Sequence, residues 1–299
     1  MIRWCDRLLF KTIDVRQLAI LRIGLGILVA INLLELLPHS VFHFSDAGWL
    51  GEARDLKLDN CGSWSILFLL NGALQTQVFF IFSLLFAIGF TIGYKTRLCA
   101  WVTFVVLASI WNRNPLILDG DDAVLRIMMF YLAISPCGNA LSVDAACNDL
   151  TLEVEAWPLR LIQFQFAFIY FVSGWVKFHS EQWMNGTILQ YVLIHPDYSR
   201  WDFTAILDNP TVLLALDLIS RAVRWWELAF PVLLLHPYSR MLAILIGVTF
   251  HLGLIFLMNL RWFSYIMIVL YVSLINNEYF KSIPGSVFSK KRLAFEGSR

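Results

Sequence analysis

Apolar runs recur along this chain from end to end, some near the roughly 20 residues a helix needs to cross the hydrocarbon of a bilayer and several shorter, the third and fourth marginal. The first lies at residues 18–37. Others follow at 78–94, 98–111, 124–136, 159–176, 212–235, 241–259 and 262–275. Hydrocarbon offers no water to unpaired backbone groups, so each spanning segment must satisfy its own N–H and C=O groups. The pattern predicts an all-α fold, a polytopic bundle of about eight transmembrane helices. Residues 65–71 are a further candidate for a half-span or an interfacial helix.

Composition agrees with the runs. The 299 residues are 59% hydrophobic and 15% charged, with mean hydropathy +0.66. Soluble domains carry roughly 25% charged residues. No polar stretch is long enough for a separate soluble domain, so one membrane domain is expected over 1–299, with its core at about 15–278. Residues 1–16 are charged and lack a small-residue cleavage site, so 18–37 reads as a retained span and not a signal peptide. A formal net charge of +1 gives no field for nucleic acid, and no nucleic-acid partner is expected. Membrane lipid is the expected surrounding.

Lys and Arg set the orientation. With eight spans, Lys95, Arg97, Arg160, Arg240 and Lys281 fall on the side of the basic termini, which favours both termini in the cytoplasm. Lys177, the acidic loop at 119–122 and the loop at 44–62 then share the outer face. Lys290, Lys291 and Arg292 read as an inner-side lipid anchor. The five cysteines form no CxxC. Cys5, Cys99, Cys137 and Cys147 fall at or near the reducing side, and Cys61 stands alone outside, so neither a disulfide framework nor a thiolate metal site is expected.

Charge at membrane depth is costly, and each instance needs a reason. Asp122 and Arg126 are four apart and can pair along one helix face, beside Asp121. Arg224 and Glu227 are three apart and can pair likewise, with Arg221 nearby. Arg22 lies close enough to an end of the first run to snorkel. His251 reads as a hydrogen-bonded packing residue, as a partner of a substrate hydroxyl, or as a member of a proton relay. Lys177 ends the run that contains Tyr170, and a polar segment with His179, Glu181 and Trp183 follows it. Such a lysine either snorkels to the headgroups beside an aromatic belt or, held among apolar groups, acts as a base. Asn185-Gly186-Thr187 is formally a glycosylation sequon and also marks a turn into 188–194.

The order and spacing of several segments carry a family resemblance. They are Asn112 to Asp122 with Leu125 and Arg126; Ser135 to Gly138 with Leu141 to Asp144; Tyr170 to Lys177 with Trp183 and Gly186; Glu227 with Pro231, then Ser239 and Arg240; and His251 with Phe263, Tyr265 and Met267. Together, over about 15–278, they resemble the HTTM (horizontally transferred transmembrane) family. That family is homologous to the membrane part of vitamin K-dependent gamma-carboxylase. The resemblance implies a reduced quinone of the vitamin K or menaquinone type, with O2 and CO2 as further reactants and no metal. It implies Lys177 as the base that deprotonates the quinol and His251 as its neighbour. Asp121, Asp122, Arg126, Trp183 and Glu227 are then candidates for contacting a substrate at the outer face.

The chain also departs from the carboxylase. Its loop reads Asp119-Gly120-Asp121-Asp122 where the carboxylase carries an asparagine-histidine pair. The large soluble region that follows the carboxylase spans has no counterpart in this sequence. In size it resembles the branch typified by sporulation-delaying-protein B, a bacterial branch associated with a secreted peptide toxin, which implies a bacterial plasma membrane. Three functions stay open: a membrane enzyme using a reduced quinone and Lys177 on a peptide or small molecule, a non-redox factor for maturing or exporting a secreted peptide with its biosynthetic partner proteins, and a lipid or solute transporter.

Overall fold

The computed structural model describes residues 9–49, 51 and 64–285. Cys5, Cys61, Arg54, Asp55 and the basic group at 290–292 lie outside the described residues. The fold is all-α. Among the described residues, eight longer helices occupy the positions of the apolar runs: α1 (Arg16–Leu36), α2 (Ala73–Ile92), α3 (Thr96–Arg113), α4 (Gly120–Ala133), α5 (Trp157–Phe178), α6 (Pro210–Leu233), α7 (Pro237–Leu257) and α8 (Phe263–Tyr271). Four segments among the described residues are long and apolar enough to cross a membrane: Arg16–Phe44, Ala73–Ile92, Trp157–Phe178 and Pro237–Leu257. The remaining helices fall short for identifiable reasons. Helix α3 has 18 residues with Arg97 and Arg113 near its ends. Helix α4 has 14 residues and carries Asp121, Asp122 and Arg126. Helix α6 carries Asp217, Arg221, Arg224 and Glu227. Helix α8 has nine residues.

The chain divides into two compact units, Met1–Leu159 with Ile275–Arg299, and Arg160–Leu274. In the first unit α1 packs on α2, and α3 packs on both α2 and α4. Gly26 lets α1 approach α2, because a Cβ there would run into Thr91 and Phe90. Gly93 ends α2 in the left-handed region at φ 75°, a conformation that suits glycine. Two short strands, β1 (Thr12–Asp14) and β2 (Glu153–Glu155), form an antiparallel ribbon with Thr12 opposite Glu155.

Arg22 corrects the sequence reading. It is fully buried and does not snorkel. Its guanidinium donates to the carbonyls of Cys137 at 2.7 Å, Ala140 at 3.1 Å and Leu141. The turn after α4 exposes carbonyls without helical partners, and a five-donor guanidinium satisfies several at once. Asp144 has a similar task, accepting from the backbone N–H of Lys95 and of Thr96 at the start of α3. Cys99, Cys137 and Cys147 are free thiols.

The second unit holds most of α5, with α6, α7 and α8. Its helices invert the usual soluble pattern. On α5 the apolar stripe of Phe164, Phe168, Phe171 and Trp175 is exposed, while Phe166 and Tyr170 are buried. On α6 Leu214, Leu218, Trp225 and Val232 are exposed, while Ser220, Arg224, Glu227 and Phe230 are buried. Outward apolar surface with inward polar groups is the arrangement a lipid solvent selects.

Candidate functional site

Helical spacing brings the polar groups of α5 to one face. Tyr170, Ser173 and Lys177 are separated by three and four residues, so they line up over two turns. Gly174 sits among them, and a Cβ there would meet the backbone N of Leu228 and the backbone of Glu227. The missing side chain is what allows α6 to come this close, as small residues do between membrane helices.

The close approach creates the centre of the site. Lys177 Nζ donates to Glu227 Oε2 at 2.6 Å and to Ser173 Oγ at 2.6 Å. The two charged side chains are 17% and 5% exposed. The Trp183 ring, on the short helix Glu181–Met184, lies 4.9 Å from Nζ. Its face favours a cation there. Lys177 is held by a buried partner, and one sequence expectation is revised. Glu227 pairs across helices with Lys177, and not along its own helix with Arg224. A long-range partner at 2.6 Å outweighs an i, i+3 contact because burial strengthens it.

A second set of polar groups lies in the same unit. His251, 1% exposed, has Nε2 at 2.7 Å from the Tyr170 hydroxyl and Nδ1 at 3.3 Å from Ser264 Oγ. The Tyr170 hydroxyl is also 2.7 Å from that of Tyr271. One consistent direction has Tyr271 donating to Tyr170, Tyr170 to Nε2, and Nδ1–H to Ser264. Reversing every hydroxyl and the tautomer gives the opposite direction. A chain with two equivalent polarities can relay a proton. Phe230 stacks at a tilt on Tyr170, with ring centroids 4.1 Å apart.

Gly247, one turn before His251, makes room for this chain, since a Cβ there would collide with the Tyr271 hydroxyl. Gly247→Ala is expected to push Tyr271 out of contact with Tyr170 and to destabilise the chain by about 1–3 kcal/mol, as overpacking does. A wild-type midpoint of thermal unfolding for this variant would contradict that account.

The structure therefore gathers Lys177, Glu227, Trp183 and His251 into one unit. Asp121, Asp122 and Arg126 belong to the other. There Asp122 accepts from Asn32 Nδ2 at 3.1 Å and from the N–H of Asp119 at 3.1 Å, closing a capping box on α4. Arg126 stacks over Trp111 at 4.5 Å. His179 and Glu181 are exposed. The Asn185-Gly186-Thr187 triplet forms the turn it suggests, with Gly186 at φ 73°. Sequence reasoning missed Tyr170, Ser173, Ser264 and Tyr271 as the hydrogen-bonding neighbours of Lys177 and His251. The seven-residue interval from Tyr170 to Lys177, and again from Ser264 to Tyr271, was the available signal.

Among protein families, the HTTM domain matches residues 10–279. Neither a curated protein nor a solved structure matches the chain.

Proposed function

The chain belongs to the HTTM family, and from that premise we propose that its second unit handles a phenolic proton of a reduced quinone, of the vitamin K or menaquinone type, in modifying a peptide or small molecule. The observation that carries this reading is the Lys177–Glu227 contact at 2.6 Å. A lone ammonium or carboxylate at this depth would be costly. Paired, the two groups have two arrangements of equal net charge, ammonium with carboxylate and amine with carboxylic acid. Passing one proton across the contact exchanges them. In the second arrangement Lys177 presents the amine, the form that accepts a phenolic proton. Ser173 fixes the position of Nζ, and the Trp183 face favours the ammonium once it forms. His251 acts through Tyr170 as a relay and positioning group.

One unpaired donor in this unit is available to a quinol oxygen. Trp226 Nε1 is buried and has no hydrogen-bond partner among the described residues. Its indole stands against Tyr170, Phe230 and Phe250, with centroids 5.0, 5.5 and 5.7 Å away. An orphaned donor in aromatic surroundings is what a quinone oxygen needs, since such a donor is costly to leave unpaired. When bound, a reduced quinone supplies the phenolic proton and two electrons that oxygen accepts. Trp226 would hold its oxygen, and Lys177 would receive its proton.

Equilibrium dialysis of a short-chain naphthoquinone against the purified protein in lipid nanodiscs tests the fit without turnover. Saturable binding is expected, weakened roughly twofold to tenfold in Trp226→Phe, the range of one net hydrogen bond. Absence of saturable binding to the wild type would remove the quinone from the account.

A further inference from the structure

Arg224 takes no part in the chemistry above, and its surroundings do not balance its charge. The residue is 3% exposed. Nη1 donates to Met184 Sδ, and a thioether is a weak acceptor. The Phe178 ring lies 5.2 Å from Cζ. Nε is buried without a hydrogen-bond partner among the described residues. The nearby acids on the same helix are engaged elsewhere, Glu227 with Lys177 at 2.6 Å and Asp217 with Arg221 at 2.8 Å. Lys177, Arg221 and Arg224 thus face two carboxylates, and one positive charge is left over on Arg224. A guanidinium does not escape this by losing its proton. A buried, unmatched charge is strongly unfavourable, so an external anion is the natural complement.

We propose that Arg224 receives the phosphate of a phospholipid, which enters where Met184 now sits. Met184 is 45% exposed, so its side chain closes the guanidinium from outside and has room to swing away. Its unbranched side chain is readily rearranged. Trp225, the next residue, is 62% exposed and continues the outward apolar stripe of Leu214, Leu218 and Val232. That surface accommodates acyl chains while the headgroup reaches Arg224. A phosphodiester carries one negative charge, which matches the one unbalanced cation. Its oxygens also fit the donor fork of a guanidinium.

The test is native mass spectrometry of the delipidated full chain in detergent. The probes are phosphatidylglycerol, a diacylglycerol with the same acyl chains, and inorganic phosphate. Phosphatidylglycerol is expected to bind one per chain, at least about tenfold tighter than diacylglycerol. Arg224→Gln should erase that preference, and Arg221→Gln should leave it intact. Met184→Glu covers the case in which Arg224→Gln fails to fold. It supplies an internal carboxylate, so it should raise the unfolding midpoint and abolish selective lipid binding. Equal binding of the two lipids, displacement of the lipid by inorganic phosphate, or undiminished lipid binding by Met184→Glu would each overturn the proposal.

Discussion

Lys177→Ala is expected to destabilise the chain by about 3–5 kcal/mol, the range seen when one partner of a buried ion pair is removed. The variant leaves the Glu227 carboxylate, 5% exposed, without the ammonium that donates to it. Lys177→Ala/Glu227→Ala should be more stable than Lys177→Ala alone, because it removes the orphaned charge together with its partner. A thermal-unfolding cycle in a fixed detergent gives the comparison. Coupling between contacting residues runs at about 0.5–3 kcal/mol, so strictly additive single and double variants would contradict the pairing. Lys177→Arg keeps a cation beside Glu227 and should preserve most of the stability.

The second large effect falls on the hydroxyl–imidazole chain. Tyr170→Phe keeps the ring against Phe230 but leaves both His251 Nε2 and the Tyr271 hydroxyl short of a partner. Each orphaned buried group costs about 1–3 kcal/mol. Tyr271→Phe removes the far end of the chain and orphans only its contact with Tyr170. The expected order of destabilisation is therefore Tyr170→Phe above Tyr271→Phe, read as unfolding midpoints under identical conditions. The reverse order would mean that Tyr170 is not the centre of the chain.

The sequence makes the helices legible and most of their pairings illegible. Run length locates α1, α2, α5 and α7, because a bilayer imposes a minimum apolar length. It also locates the helices at α4, α6 and α8, but not whether each crosses a membrane. Lys177 is visible as a polar end to an apolar run. Its partner is not, since Glu227 is 50 positions away and the local i, i+3 rule points to Arg224. Arg22 fails for the same reason. Snorkelling is a local expectation, whereas the carbonyls it meets lie more than a hundred positions along the chain. Tyr170 and Tyr271 are hidden by chemistry. A tyrosine in an apolar run reads as an aromatic anchor until a histidine is found at hydrogen-bond distance. Gly174 and Gly247 reveal their roles only when the atoms they make room for are known.

The central claim, that Lys177 is the base acting on a reduced quinone, is tested most directly by oxygen-dependent oxidation of reduced menaquinone in lipid nanodiscs, followed by mass spectrometry for wild type and Lys177→Arg. Arginine preserves the cation but cannot serve as a base near neutral pH. The account predicts turnover by the wild type and a loss of at least about 100-fold in Lys177→Arg, the lower range for removing a general base. Equal rates in the two proteins, or no turnover by a well-folded wild type with quinol bound, would contradict it.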